Sequence, residues 1–353
     1  MKVVVGMSGG VDSAVTAYLL QQEGYEVIGV TLRTWESFDG QESRCCEIDD
    51  ARNVARKLGI PYHVQNCLTD FTKEVKEPFI RDYCCGLTPN PCVICNRSVK
   101  WERMLYMAQL LQADRVATGH YADPVRLENG RYTVKRSECS GKDQTYMLYR
   151  LTQEQLQKTL MPLGKLQKDE VRRIAQEAGL LVANKKDSQE ICFVPDGSYA
   201  DYLVENEGVV PEKGSFVDEE GNVLGPHKGI IYYTVGQRKG LGLALGYPAY
   251  VKEIRKNKEV VIAKEESLYS DTIFCTKMNY MSIPGLQEGE SLPCKVKIRY
   301  RHEAQSAHAE CAGDDLVRIK FDEPVRAAAP GQSAVLYDEN DCVIGGGFIE
   351  RHE

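Results

Sequence analysis

KVVVGMSGGVDSAVTAYLL, residues 2–20, decides the fold. The β-branched run Val3, Val4, Val5 suits a strand buried on both faces, and Ser8, Gly9 and Gly10 permit a sharp turn after it. Asp12 and Ser13 are first-turn residues, and Val11, Ala14, Val15, Tyr18 and Leu19 recur at helical spacing. A helix start therefore points its free amides back at the turn, which makes a natural anion site. Working outward, EVIGVTLR (26–33) reads as a second strand. Ile48, Ala51, Val54, Ala55 and Leu58 mark a helix that stops at Gly59, and strands are expected over 61–67 and 115–118. This alternation predicts an α/β fold, a doubly wound parallel sheet with ligands at the carboxyl ends of its strands. Gly119 and His120 fall at one such end.

With 353 residues the chain has room for two or three domains. We expect boundaries near 1–205, 206–270 and 271–353. Asn129 and Gly130 signal a hairpin, the Gly- and Pro-punctuated stretch 209–263 a small β-rich middle domain, and the short alternating runs CKVKIRYR, DLVRIKF, SAVLY and CVIGGGFI a terminal β-barrel. Phe71, Val75, Phe79 and Tyr83 trace a helical face that Pro78 is expected to kink. TPNPCVICNRSVKW (88–101) reads as an extended loop giving way to a helix, so that Cys92 and Cys95 form a CxxC in a loop. No apolar run of about 18 residues occurs and no leader is read, so a cytoplasmic protein with no membrane partner is expected. Thirteen Cys without regular spacing are then mostly free thiols; Cys45 with Cys46 and Cys84 with Cys85 are assigned to packing or incidental chemistry. The CxxC lacks a second pair for zinc and sits poorly for a thioredoxin-like motif, which leaves packed thiols or a functional pair. A net charge of −7 excludes an indiscriminate nucleic-acid coat, though not a local basic face.

The turn carries no Lys, so it is not the loop that grips the terminal phosphates of ATP. SGGVDS instead resembles the pyrophosphate loop (PP-loop) of enzymes that adenylate a substrate. That resemblance implies that Ser8, Gly9, Gly10 and Ser13 hold the leaving pyrophosphate and that Asp12 helps place Mg2+. Longer strings are more specific: SGGVDSAV, TPNPCVICNRSVKW, ATGHYA, GKDQTYML, SQEICFVPDG and TVGQRKGLGL, in this order, make nearly the whole chain similar to the bacterial tRNA-specific 2-thiouridylases. The resemblance implies an adenine nucleotide α-hydrolase-like domain, a small central domain and a β-barrel. It also implies ATP-dependent 2-thiolation of the wobble uridine, U34, of tRNAs for Glu, Gln and Lys. A uracil oxygen leaves poorly until adenylation turns it into AMP. A cysteine persulfide is a suitable sulfur carrier, and a second thiolate can resolve it as a disulfide.

Carried over by position, Cys192 corresponds to the persulfide-bearing cysteine and Cys95 to the one that attacks or pairs with it. Gly6, Met7, Ser8, Gly9, Gly10, Val11, Asp12, Ser13, Leu32 and Gly119 correspond to nucleotide contacts, Leu32 replacing a common Met. Asn90, Pro91 and Cys92 match the segment at the target base; Lys142, Asp143 and Gln144, and Arg299 with Tyr300, match tRNA-contacting loops. Without the resemblance, Arg299 and Tyr300 read as an alternating strand with a solvated face. Cys92 stands where better-known members have Asp, so Cys92, Cys95 and Cys192 together suffice to ligate a [4Fe-4S] cluster with one open iron. Lys185, Lys186, Arg238, Lys239, Lys295, Lys297 and Arg301 complete an expected basic track. A cysteine desulfurase or sulfur-relay protein is the expected donor. The rivals are an amidating or lysidine-type PP-loop ligase, which needs no paired cysteines, and an RNA-binding or redox protein without ATP chemistry.

Overall fold

The computed structural model describes residues 1–35, 47–185, 191–194, 198–313 and 315–351. Strands β1 (Lys2–Gly6), β2 (Glu26–Arg33), β3 (Tyr62–Asn66) and β4 (Arg115–Ala117) precede a hairpin, β5 (Ala122–Arg126) and β6 (Tyr132–Arg136), and the short β7 (Thr159–Leu160). The order β3-β2-β1-β4-β7 makes one parallel sheet with β1 in its middle, as the valine run predicts. Period-two alternation sends Val3 and Val5 to one face and Val4 to the other. The first face buries helices α1 (Val11–Gln22) and α2 (Ile48–Leu58) together with the helix Lys168–Glu177. Val4, Ile28 and Val30 instead pack on Trp101, Met104 and Met107.

Two local readings change. Phe71, Val75, Phe79 and Tyr83 do share a buried face, but α3 (Leu68–Phe71) runs through a π-helical turn, Thr72–Lys76, into α4 (Glu77–Cys84). Pro78 sits just inside α4, where the wider turn accommodates its missing N–H. The CxxC is not in a loop either. Helix α5 (Pro91–Cys95) starts at the proline, with Asn90 as its cap: Asn90 Oδ1 accepts from the Cys92 amide at 3.2 Å. Asn at a helix cap followed by Pro at the first helical position is a strong start signal, so the NP dipeptide opens the helix rather than extending the loop before it. The chain continues through a second π-helical turn, Asn96–Trp101, into α6 (Glu102–Leu110).

The middle domain is a four-stranded sheet in the order Tyr250–Ile254, Val260–Ala263, Gly214–Val217, Val223–His227. A closed six-stranded barrel follows, in the order Tyr269–Tyr280, Leu316–Arg326, Gln305–Gly313, Ser291–Lys297, Ser333–Tyr337, Val343–Ile349. The expected strand over CKVKIRYR ends at Lys297; the next residues turn, with the His302 amide donating to the Arg299 carbonyl at 3.1 Å.

Barrel and first domain share a core. Tyr146, Leu148 and Tyr149 are fully buried against Val335, Tyr337 and Val343. Burial raises the pKa of each of the three tyrosines and keeps the hydroxyls protonated. Each hydroxyl has a partner: Tyr146 donates to the Ser333 carbonyl at 2.8 Å, Tyr149 accepts from Ser333 Oγ at 3.1 Å, and Tyr337 pairs with Thr145 at 3.2 Å. Tyr146→Phe keeps the ring but strips the Ser333 carbonyl of this donor. A loss of about 1–3 kcal/mol in urea unfolding is expected.

Candidate functional site

A cavity of about 1110 Å³ opens at the carboxyl ends of the sheet strands. Its floor is the turn between β1 and α1: Gly6, Met7, Ser8, Gly10, Val11, Asp12 and Ser13 line it, while Gly9 sits just behind at φ +78°. The turn is braced internally, since the Ser8 amide donates to Ser13 Oγ at 3.2 Å and that hydroxyl donates to the Gly10 carbonyl at 3.1 Å. No side chain caps α1, so its first-turn amides face the cavity as an anion site. Gly119 closes the other side. A Cβ there would lie 2.8 Å from the Asp12 carbonyl carbon and 2.9 Å from the Ser13 nitrogen, so only glycine lets β4 approach the helix start this closely. Val30, Leu32, Phe71 and Met104 supply an apolar wall suited to an adenine ring.

Asp12 is held by residues that sequence patterning did not flag. Lys168 Nζ contacts both carboxylate oxygens, at 2.8 and 2.9 Å, and the Tyr121 hydroxyl donates to one of them at 2.8 Å. These contacts span more than a hundred residues and leave no local signal. His120 also lines the cavity, its Nδ1 2.9 Å from the Thr118 hydroxyl and its ring 5.4 Å from that of Trp101. Burial, reinforced by the nearby Lys100 ammonium, pulls its pKa down to about 3, so the imidazole is neutral at physiological pH.

Cys92, Cys95 and Cys192 all reach this cavity. Cys95 is buried and Cys192 half-buried in a single apolar cluster, where Phe193 meets Phe71 and Phe79 edge-on with centroids 5.3 and 5.1 Å away. Cys92 lies one helical turn before Cys95, on the same face of α5. Among the described residues, no three His, Cys, Asp or Glu side chains are gathered as a metal-ligand group. Of SQEICFVPDG, only Ile191 to Val194 are described; Lys186, Cys45 and Cys46 lie outside the described residues, and Cys84 and Cys85 are exposed.

The opposite wall comes from the barrel and the GKDQ loop. Lys295, Lys297, Tyr300 and Arg301 line it together with Lys142, Asp143 and Gln144. Asp143 is turned inward, accepting from Thr145 Oγ1 at 2.9 Å and from the Ser137 amide at 3.2 Å. Gln144 clasps Tyr121 through backbone and side chain, both at 2.9 Å. Pro91 lines the cavity while Asn90 caps α5 behind it, and Arg299 points away from the cavity. Lys185 reaches the rim, paired with Glu47 and Asp50 and 3.3 Å from the Gly9 carbonyl; Arg238 and Lys239 lie outside the cavity on an exposed loop.

Two outcomes follow from this geometry. Gly119→Ala forces the helix start and β4 apart, and calorimetry should show ATP binding weakened on the order of 10–100-fold with circular dichroism unchanged. His120 binds a proton in the unfolded chain near pH 6.5 but in the folded chain only near pH 3, so stability falls as pH drops between these values. Between pH 7 and pH 5, the wild type should lose about 1–2 kcal/mol more than His120→Gln in urea unfolding.

Comparison with known proteins agrees along the whole length. Residues 1–196 match the family model described as tRNA methyl transferase HUP domain, 201–264 the tRNA methyl transferase PRC-barrel domain, and 270–349 the aminomethyltransferase beta-barrel domain. A tRNA-specific 2-thiouridylase of Lachnoclostridium phytofermentans is 51% identical over 356 residues, covering 99% of each chain. One from Clostridioides difficile is 48% identical over 357 residues, covering 99% of this chain and 98% of its own. A solved U34-tRNA thiolase from Methanococcus maripaludis, with its [4Fe-4S] cluster, aligns over 58% of this chain and 66% of its own at 20% identity and a TM-score of 0.36, too distant to carry an argument. With an ATP-binding first domain and near-complete likeness to enzymes of one name, this chain belongs to the tRNA-specific 2-thiouridylase family, transferases that thiolate tRNA.

Proposed function

We propose that this protein 2-thiolates the wobble uridine, U34, of tRNA by adenylating the uracil C2 oxygen and then delivering sulfur from a persulfide on Cys192. The observation that carries this reading is that Cys95 and Cys192, far apart in sequence, line the same cavity as the uncapped start of α1. The turn residues 6–13 and Gly119 bind ATP so that its α-phosphate meets the uracil oxygen and pyrophosphate leaves into the helix start. Asp12 is the carboxylate suited to Mg2+, which would screen the departing charge. The outer sulfur of the Cys192 persulfide attacks C2 and AMP departs with the former uracil oxygen. The Cys95 thiolate then attacks Cys192 Sγ, which breaks its bond to the sulfur on C2; the electron pair stays with that sulfur. The products are 2-thiouridine and a Cys95–Cys192 disulfide, which a dithiol reductant must reopen before a cysteine desulfurase or sulfur-relay protein reloads Cys192.

Neutral His120 and the α5 start, Pro91 and Cys92 with Asn90 capping them from behind, border the place where the target base must sit, flipped from its stack. Lys142, Gln144 and Tyr300 face the anticodon loops of tRNAs for Glu, Gln and Lys, the inward Asp143 holding their loop, with Lys295, Lys297 and Arg301 as phosphate contacts.

Mass analysis of the wobble uridine after incubation with ATP, a persulfide source and unmodified tRNA tests the reading. Cys95→Ser and Cys192→Ser should each lower thiolation by at least about a thousandfold, the range seen when a nucleophile is removed, while pyrophosphate release from the adenylation step persists. Full turnover in either variant would favour a PP-loop ligase without thiol chemistry. Anaerobic purification with iron and sulfide assay separates a second route: stoichiometric iron in an active preparation would replace the persulfide with a [4Fe-4S] cluster on Cys92, Cys95 and Cys192.

A further inference from the structure

In the turn that follows the barrel strand Ser291–Lys297, two consecutive residues face opposite ways. Tyr300 lines the cavity, its ring centroid 5.9 Å from the Lys297 ammonium. Arg299 runs behind it into the seam between barrel and middle domain, where Nη2 donates to the Val235 carbonyl at 2.9 Å and to the Ala327 carbonyl at 2.7 Å. Val235 belongs to the middle domain and Ala327 to the barrel, so one guanidinium group bridges two domains. Val235, Ala327 and Ala329 form a small buried cluster at this seam, and Arg299 Nε is buried there with no partner among the described residues.

Two backbones meet at this point. Gly236 has φ +88° and a Cβ on it would lie 2.9 Å from that of Ala327, which itself sits at φ +55°. Glycine is what permits the contact, and the donors of Arg299 hold both sides of it. The loop then continues to Arg238 and Lys239. It is stiffened by the Gly236 amide on the Val251 carbonyl at 2.7 Å, the Val251 amide on the Gln237 carbonyl at 2.9 Å, and Gln237 Nε2 on the Lys239 carbonyl at 3.0 Å. Both cations are exposed, on a protein of net charge −7. A guanidinium buried on two carbonyls is poorly placed to meet a phosphate; an exposed pair on a braced loop is well placed.

We propose that Arg299 is a positioning residue for RNA: it pins the loop 235–239 to the barrel, so that Arg238 and Lys239 meet backbone phosphates in fixed register with Tyr300 and Arg301. The RNA part rests on the tRNA reading above; the pin does not. Lys cannot substitute fully, because an ammonium is more strongly hydrated than a guanidinium and costs more to bury on two carbonyls at this seam.

The experiment uses the full chain and unmodified tRNA, with the dissociation constant followed against salt for Arg299→Met, for Arg238→Ala with Lys239→Ala, and for all three together. A direct phosphate contact at Arg299 would lower the slope of log affinity against log salt by about one; loss of the pin should lower it by about two, since both loop cations go. In the Arg238→Ala, Lys239→Ala background, adding Arg299→Met should change affinity by less than about twofold. ATP affinity should stay at the wild-type value, and Arg299→Lys should fall between. Hydrogen exchange tests the pin without RNA: Arg299→Met or Arg299→Lys should speed exchange at the amides of Gly236, Gln237 and Val251 but not in β1. Additive losses with a slope change of about one would make Arg299 a direct contact and overturn the proposal, as would unchanged exchange at those amides. Absence of tRNA binding by the wild type would instead overturn the RNA part alone.

Discussion

Burying three tyrosines at one interface obliges each hydroxyl to find a partner there, and that requirement fixes how the barrel sits on the sheet. Tyr146, Tyr149 and Tyr337 find theirs only if Ser333 and Thr145 are brought to them, within about 3 Å in each case. A one-residue register slip of the strand Ser333–Tyr337 would turn Ser333 and Tyr337 into the barrel and strand the tyrosine hydroxyls in apolar surroundings. Asn96, just after α5, adds a lock from that helix, its amide donating to the Met147 carbonyl at 3.0 Å. The helix bearing Cys95 and the barrel wall bearing Tyr300 are therefore parts of one rigid arrangement. The cavity is the space that this docking leaves open.

Charge is distributed to match. The protein is net negative, yet Lys142, Lys185, Lys295, Lys297 and Arg301 all border the cavity. Lys297 is only 8% exposed, and burial lowers its pKa against the pull of Asp143. The inward Asp143 thus has two consequences: it shapes the GKDQ loop through Ser137 and Thr145, and it keeps a buried cation charged on the wall. Such cations offer an anion a site that has already lost much of its water, where each contact is stronger than at an open surface.

The sheet and the turn between β1 and α1 were legible in the sequence because both depend on local chemistry: a β-branched run, a glycine turn and a helical repeat lie within 19 consecutive residues, 2–20. The barrel was legible through alternation alone. The start of α5 was misread because Asn and Pro serve both loops and helix caps, and only the Cys92 amide on Asn90 decides between them. The strand through Arg299 was overextended because alternation continues in CKVKIRYR after the hydrogen-bonded ladder has ended at Lys297. Lys168 was invisible, since nothing near it in sequence announces a partner at Asp12. The cysteines lay between these cases: their positions were carried by resemblance, and their meeting in one aromatic cluster is a product of tertiary packing.

The four residues Thr118 to Tyr121 show how the two walls of the cavity are held in register. The Thr118 amide completes the sheet on the Leu160 carbonyl at 3.2 Å, and its hydroxyl orients His120. Gly119 rests on the start of α1. Tyr121 then reaches in two directions, its hydroxyl to Asp12 at the start of α1 and its backbone to Gln144 in the GKDQ loop on the opposite wall. A displacement of either partner must strain a hydrogen bond to the same residue. The turn that opens the chain is consequently no independent element: its carboxylate is tied, through one tyrosine, to the GKDQ loop on the opposite wall of the cavity.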